Sequence, residues 1–222
     1  MFKDRHDAGK KLAKALDHYK DKHVLVLAIP RGGVEVGFEV AKFLHADFSI
    51  LIARKLPYPD NPEAGFGALA EDGSTIILKG ATLWISEKTI KEIIQEQREE
   101  IERRIKVLRK GENLPEIKER TVILVDDGLA MGSTMRAAIE LCRKRKAKKI
   151  VVAVPVAGDR VSDEMNNSVD ETVILEIPPF FRAVAQVYKN WYDVQDKEVL
   201  EILEKWETLK QDFSGTSKNI EA

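Results

Sequence analysis

The sequence of 222 residues predicts an α/β protein with a mostly parallel, twisted sheet that is flanked by helices. Short apolar runs rich in Val and Ile recur along the chain, which is typical of strands covered on both faces. Between them lie segments whose apolar residues recur every three or four positions, as on one face of a helix. A chain of this length with 44% apolar residues can bury one core, and we place a single domain at residues 1–210.

The order of these elements supports a parallel sheet, because strands and helices alternate along the chain. The predicted strands lie at residues 23–30, 48–53, 121–125, 150–155 and 172–178. The clearest connecting helices are predicted at residues 34–45 and 134–146. A last helix is predicted at residues 196–209, and residues 211–222 are expected to form a flexible tail.

The longest predicted helix, at residues 86–110, breaks this alternation. Ser86 can cap its start and Gly111 can end it, which gives a rod of roughly 37 Å. Its apolar residues recur at spacings of three and four, with charged residues around the rest of the helix. This apolar stripe packs either on the core or on a second copy of the chain, and the sequence leaves both alternatives open.

Composition excludes several classes of site. Cys142 is the only cysteine, so neither an intrachain disulfide nor a metal site of several cysteines can form. The basic run at residues 143–149 suits a helix end, and the formal net charge of -1 makes nucleic-acid binding unexpected. Because the N-terminus is polar and no apolar run reaches membrane-spanning length, we expect a cytoplasmic protein without a membrane partner.

The stretch "VILVDDGLAMGSTM" at residues 122–135 places two adjacent carboxylates, Asp126 and Asp127, at the end of a buried strand. In a parallel sheet, ligands collect at this end of the strands. The small residues that follow let backbone N–H groups approach an anion, and Ser133 and Thr134 can donate hydroxyl hydrogen bonds or cap the next helix. Carboxylates accept hydrogen bonds from sugar hydroxyls, so the pattern indicates a ribose phosphate. A capped turn without a ligand is the alternative.

Residues 122–134 resemble the phosphoribosyl-diphosphate motif of the type I phosphoribosyltransferases, whose fold is a Rossmann-like sheet with a small hood. The resemblance implies that Asp126 and Asp127 hold the ribose 2- and 3-hydroxyls during catalysis. It also implies that the 5-phosphate lies against Gly128, Ala130, Met131, Gly132, Ser133 and Thr134. Met131 stands where the family usually has Thr, so weaker phosphate binding is expected.

Other patterns extend the resemblance over residues 2–205. They are "DR-x-x-AG-x-x-LA" near the N-terminus, "PRGG", "ARKL", "VDDGLAxGxTM" and the "WY" near the end. Together they look like one branch of these proteins, whose members have no settled acceptor.

The segment "AIPRGGVEVG" at residues 28–37 follows a predicted strand and belongs to the same rim of the sheet as the two aspartates. Gly32 and Gly33 allow unusual backbone angles, and Arg31 offers a fork for phosphate oxygens. A tight turn with a surface arginine is the alternative. By the family resemblance, these three residues contact the diphosphate, and Pro30–Arg31 is the expected cis peptide bond.

Residues 54–75 are predicted to form a long irregular lid loop with a hairpin turn at Asp72–Gly73. By resemblance, this lid closes over the diphosphate, with Arg54 and Lys55 as catalytic cations and Arg54 as a diphosphate contact. An ordinary surface loop is the alternative.

Residues 177–195 form the most aromatic window, which we interpret as the acceptor hood. Its candidate contacts are Phe180, Phe181, Trp191 and Tyr192, and ordinary core packing is the alternative. The N-terminal residues 2–16 are expected to pack against this window.

The resemblance implies transfer of the phosphoribosyl group from phosphoribosyl diphosphate to a nitrogenous base, or from a nucleoside monophosphate in reverse, by a homodimer. Mg²⁺ is expected to arrive mainly with the substrate, without dedicated protein ligands. One alternative is a regulatory protein that binds phosphoribosyl ligands without turnover, and another is a nucleotide hydrolase.

Overall fold

The computed structural model describes residues 1–216, and the side chains of all of these except residues 63 and 211–216. The strands are β1 Leu25–Ala28, β2 Asp47–Ile50, β3 Ala53–Tyr58, β4 Asn61–Ala70, β5 Thr75–Ile77, β6 Thr121–Val125, β7 Lys149–Val156 and β8 Glu171–Glu176. The α-helices are α1 Arg5–Ala15, α2 Gly32–Leu44, α3 Glu87–Leu108, α4 Ser133–Lys144, α5 Asp159–Ser168 and α6 Asp196–Thr216.

The main sheet has five parallel strands in the order β2-β1-β6-β7-β8, which confirms the predicted α/β fold. Strands β1 and β6 are neighbours, and Ala28 at the end of β1 pairs in register with Val125 at the end of β6. The loops that follow these two strands therefore leave the sheet side by side. This register places the arginine–glycine loop next to the two aspartates.

Both faces of the sheet are buried, because alternate residues of each strand point to opposite sides. On one face, Val26 and Ile123 pack in a cluster with apolar residues of α1, α2 and α6. On the other face, Leu27 and Leu124 pack with apolar residues of α4 and α5 and of a second, smaller sheet. The continuous apolar runs in the sequence follow from this double coverage.

The prediction that residues 54–75 form an irregular loop is wrong. These residues belong largely to an antiparallel sheet in the order β3-β4-β5. The sequence did not indicate these strands because their prolines and glycines are typical of loops. A Cβ at Gly67 would lie 2.1 Å from the carbonyl oxygen of Ile76, so the glycine permits close strand approach. The turn predicted at Asp72–Gly73 is confirmed, with Gly73 at a φ of 84°. Whether the sheet moves as a lid stays a prediction.

Helix α3 confirms the predicted long helix. Ser86 caps it by accepting a hydrogen bond from the Thr89 N–H at 3.1 Å. The buried residues Ile101 and Leu108 of its apolar stripe join the core cluster that includes α2 and α6. This stripe therefore packs on the core, which is one of the two predicted alternatives. Contact with a second copy of the chain stays a prediction.

Helix α6 is longer than predicted and ends at Thr216 rather than at residue 209. Within it, Trp206 is buried and packs edge-on against Phe38 and Phe48. The helix therefore covers the edge of the sheet that β2 forms. The remaining part of the predicted tail, residues 217–222, lies outside the described residues.

A buried ion pair links the two sheets to α3. The Arg109 guanidinium donates from Nη1 to the Ile50 carbonyl at 3.0 Å and to Glu71 Oε1 at 2.9 Å. Glu71 Oε1 also accepts the N–H of Ile52 at 2.9 Å. The end of β2, the end of β4 and the end of α3 are therefore held at one point.

We expect Arg109→Met to lower the free energy of unfolding by about 3–5 kcal/mol, because it leaves the Glu71 carboxylate buried without its cation. Urea unfolding followed by circular dichroism measures this change. Lys88→Met is the control on the same helix, where the exposed pair with Glu92 predicts a change within about 0.5 kcal/mol. Equal effects of the two substitutions would contradict the linking role.

Candidate functional site

The candidate site lies where the loops after β1 and β6 touch. The peptide bond Pro30–Arg31 is cis, as predicted. A Cβ added to Gly32 would lie 1.9 Å from Asp127 Oδ2, and one added to Gly33 would lie 2.9 Å from the Cα of Asp126. Only glycine allows this approach, so the two glycines bring the predicted diphosphate loop against the predicted ribose carboxylates.

The two aspartates form an adjacent, largely buried pair. Asp126 Oδ1 accepts the backbone N–H of Asp127 at 2.8 Å. Burial raises the pKa of Asp126 well above its usual range, and the charge of Asp127 raises it further. Burial also raises the pKa of Asp127, while the charge of Arg5 acts in the opposite direction. The chain thus provides one cation for a pair of crowded acids.

Sequence reasoning assigned no role to Arg5, which lies at the centre of the site. Its Nε donates to Asp127 Oδ2 at 2.7 Å, and its Nη1 donates to the Tyr192 carbonyl at 2.9 Å. The guanidinium carbon lies 3.9 Å from the ring centre of Trp191. The only signal in the sequence was its place in the "DR-x-x-AG" pattern, because helical periodicity does not mark a charged residue as buried.

The C-terminal segment also contacts Asp127 directly. The buried Tyr188 donates its hydroxyl to the Asp127 carbonyl at 2.7 Å. Its ring packs against Phe2, and the two residues form an isolated parallel bridge. This contact confirms that the N-terminal residues pack against the aromatic window.

The predicted phosphate loop leads into α4. Gly132, at a φ of 68°, is the N-cap of α4 and provides no side-chain cap. Ser133 is the first helical residue, so the expectation that Ser133 or Thr134 caps the helix is wrong. The reason is that the left-handed glycine turns the chain one residue before them. The N–H groups of the first turn therefore have no side-chain cap, which suits an anion.

Two contacts hold this loop in place. The N–H of Leu129 donates to the carbonyl of Val156 at the end of β7 at 2.9 Å. Arg136 donates from Nη1 to the Met131 carbonyl at 2.7 Å and also forms an ion pair with Glu164. The Met131 side chain is 50% exposed, so its backbone rather than its side chain is fixed.

A cavity of about 1020 Å³ opens beside the phosphate loop. Its wall includes Ala130, Met131, Phe180 and Phe181, together with the side chains of Arg136 and Arg160. Trp191 and Tyr192 do not line it, because they pack on Arg5. The predicted hood residues thus divide into a pair at the cavity and a pair at the carboxylates.

The predicted diphosphate cations lie beside α3 and α6. Arg54 donates from Nε to Gln97 Oε1 at 3.0 Å, and Arg31 Nη1 lies 3.6 Å from Asp196 Oδ1. Burial lowers the pKa of Arg54, and nearby arginines lower it further, whereas the carboxylate of Glu100 acts in the opposite direction. Crowded guanidinium groups favour a polyanion as ligand.

Lys55 runs across β4, where a Cβ at Gly65 would lie 2.5 Å from the lysine Cγ. Among the described residues, no group of three or more His, Cys, Asp or Glu side chains could hold a metal ion. The acids that follow β6 are the two aspartates, which can share a metal with a substrate that brings its own oxygen ligands.

Comparison with known proteins identifies the family of the chain. A family model described as the phosphoribosyl transferase domain matches residues 3–190. A curated protein of Mycobacterium tuberculosis, whose name assigns it provisionally to the phosphoribosyl transferases, is 38% identical over 209 residues. The match covers 92% of this chain and 47% of that protein, so the chain spans about half the length of its curated relative.

Two further similarities were found. The transcriptional regulator GfcR of Methanosphaera stadtmanae is 39% identical over 54 residues, which are 24% of this chain and 27% of the regulator. The crystal structure of TT1426 from Thermus thermophilus is 34% identical, with a TM-score of 0.78 over 93% of this chain and 99% of that chain. By the family match and the identity to the mycobacterial relative, the chain belongs to the phosphoribosyl transferase domain family.

Proposed function

We propose that the protein catalyses Mg²⁺-dependent transfer of the phosphoribosyl group from phosphoribosyl diphosphate to a nitrogenous base, or the reverse. The observation that carries this proposal is the contact between the two loops, where Gly32 lies against the Asp127 carboxylate. A diphosphate at one loop and a ribose at the other would then be neighbours, as the two ends of this substrate require.

Each part of the proposed site matches one part of the substrate. Asp126 and Asp127 accept hydrogen bonds from the ribose 2- and 3-hydroxyls, and the loop at residues 128–134 holds the 5-phosphate with its backbone N–H groups. The diphosphate lies against the loop at residues 31–33 and the cations Arg54 and Lys55. The crowding of guanidinium groups around Arg54 supports this assignment, since a diphosphate relieves their mutual repulsion.

Catalysis in this proposal is electrostatic. Departure of diphosphate leaves positive charge on the sugar ring, and Asp126 and Asp127 stabilise that charge when they are ionised, above their raised pKa values. The arginines of the diphosphate side stabilise the leaving group. Bound Mg²⁺ would neutralise charge on the diphosphate oxygens, with Asp126 and Asp127 as the protein carboxylates available to it.

The acceptor base is assigned to the cavity beside the phosphate loop. Phe180 is 91% exposed and Phe181 packs near Gly158, so flat aromatic surfaces are available for stacking on a base. Trp191 and Tyr192 remain candidate acceptor contacts, although their contacts with Arg5 favour a role at the ribose side.

The second candidate function is a regulatory protein that binds a phosphoribosyl ligand without efficient turnover. Two observations favour it. Met131 stands where the family usually has Thr, and a transcriptional regulator is similar to this chain over 54 residues. A base-dependent reaction separates the two candidates.

We further propose a homodimer in the cytoplasm, with no nucleic-acid partner. In residues 1–216, no helix is both long enough and apolar enough to cross a lipid bilayer. The formal net charge of -1 gives no general attraction to nucleic acid.

The test of the proposed function is diphosphate release from phosphoribosyl diphosphate in the presence of Mg²⁺ and a panel of purine and pyrimidine bases. Transfer predicts release that depends on one class of base. Binding of phosphoribosyl diphosphate without release favours the regulatory protein. Release with water alone indicates a hydrolase.

We expect Asp126→Asn to weaken ribose 5-phosphate binding about tenfold or more at a pH above the raised pKa of Asp126, because an amide replaces a charged acceptor. Since the pKa of Asp126 is raised, wild-type binding should strengthen as pH rises through that pKa. The variant should lose this part of the pH dependence while it keeps the part that comes from the ligand phosphate. Calorimetric titration over a range of pH measures both, and identical pH profiles for the two proteins would contradict the assignment.

The same raised pKa has a consequence for stability. Neutral Asp126 contributes stability that is present below its unfolded pKa and is lost as pH rises through the folded pKa. The melting temperature of Asp126→Asn should therefore rise relative to that of wild type as pH rises from 4, where the two proteins should nearly agree. Thermal denaturation over a range of pH measures this difference, and a difference that falls with rising pH would contradict a raised pKa of Asp126.

Gly32→Ala should weaken phosphoribosyl diphosphate binding about tenfold or more, because its Cβ would displace the Asp127 carboxylate. Gly73→Ala is the matched control: Gly73 has a positive φ but no atom within 4 Å of its Cβ position. It should lower stability by about 1 kcal/mol and leave affinity unchanged. Equal affinities of the two variants would contradict the contact between the loops.

A further inference from the structure

Arg5 has no part in the proposed chemistry and does not line the cavity, yet it is only 3% exposed. A buried arginine needs partners, and this one has them on two segments that are distant in sequence from its own helix. It binds Asp127 through Nε, the carbonyl of Tyr192 through Nη1, and the face of Trp191 through the guanidinium plane. These contacts join the N-terminal helix, the acidic pair and the C-terminal segment.

We propose that Arg5 is a positioning residue of the ribose site, which fixes the Asp127 carboxylate and the segment of residues 188–192 in one arrangement. This inference rests on the proposed function, because it gives Arg5 its role through a carboxylate that binds ribose.

The first support is geometric. Arg5 holds the side chain of Asp127, and the Tyr188 hydroxyl holds the carbonyl of the same residue, each at 2.7 Å. Asp127 is therefore fixed at its side chain and at its backbone by residues outside its own loop. A carboxylate held in this way can meet two sugar hydroxyls without first losing rotational freedom.

The second support is the charge around Arg5. Glu35 is 3% exposed, and its Oε2 lies 3.6 Å from Arg5 Nη1 without a hydrogen-bond partner among the described residues. Its Oε1 accepts the Tyr192 hydroxyl and lies 3.7 Å from His6 Nε2. Arg5 thus neutralises Asp127 on one side and Glu35 on the other. Without Arg5, the carboxylates of Asp127 and Glu35 would be buried with no cation beside them. They would then bind protons or move away from their present positions.

The third support is the kind of cation. A guanidinium is planar and has five N–H groups, so it can donate to Asp127 and to the Tyr192 carbonyl while it stacks on Trp191. A lysine ammonium is a point charge without a plane and cannot make all three contacts at once. Arg5→Lys should therefore keep the charge and lose the positioning.

The experiment compares wild type, Arg5→Lys, Arg5→Met and Lys11→Met by calorimetric titration with ribose 5-phosphate in the presence of Mg²⁺. We expect affinity to fall about tenfold or more in Arg5→Met and by a smaller factor in Arg5→Lys. Lys11, on the same helix with an exposed ion pair to Asp7, is the control and should leave affinity unchanged.

The conservative variant separates positioning from a purely structural role. Arg5→Lys keeps a cation beside Asp127, so it should recover part of the affinity that Arg5→Met loses while both variants stay folded. A loss that comes only from misfolding should instead follow the folded fraction, which circular dichroism measures.

Trp191→Leu provides the second variant, because the side chain is partly exposed and its loss removes the stacking surface of Arg5 together with the ring contact to Tyr188. If both Arg5 variants fail to fold, the affinity of Trp191→Leu tests the proposal instead. This variant should bind ribose 5-phosphate several-fold more weakly than wild type. The inference is overturned if wild type binds and the folded variants bind within about twofold of it. If wild type itself does not bind, the proposed function fails, and the inference fails with it.

Discussion

The ion pair between Arg5 and Asp127 is the interaction on which the arrangement of the site depends. Two adjacent carboxylates at the end of a buried strand repel each other and lose hydration, so the fold must supply a cation close to them. The chain supplies it from its N-terminal helix, 122 residues away in sequence. The same cation then requires the carbonyl of Tyr192 and the ring of Trp191, which brings the C-terminal segment to the sheet.

The two halves of the site differ in character because different parts of the fold build them. The carboxylate half is formed by loops that leave β1 and β6 in register, and glycines let these loops touch. The cavity half lies beside the start of α4 and the segment at residues 177–181, where apolar and aromatic side chains predominate. The proposed substrate has the same division, with charged and hydroxyl-bearing groups at one end and a flat base at the other.

The sequence was most informative where one strand and the loop after it carry the signal. The five strands, the long helix, the rim position of Asp126 and the cis bond before Arg31 could all be predicted from local patterns or from the family resemblance. The sheet of β3, β4 and β5 could not be predicted in this way, because its prolines and glycines are typical of a loop. Arg5 and the division of the hood depend on contacts between distant segments, for which local periodicity carries no information.

The most direct test of the central claim is a double-mutant cycle between Arg5 and Asp127, read out by ribose 5-phosphate affinity. The four proteins are wild type, Arg5→Met, Asp127→Asn and the double variant. If Arg5 acts through Asp127, the double variant should bind about as weakly as Asp127→Asn alone, with a coupling free energy of about 1 kcal/mol or more. Additive losses in the double variant would show that Arg5 acts independently of the carboxylate and would contradict the account.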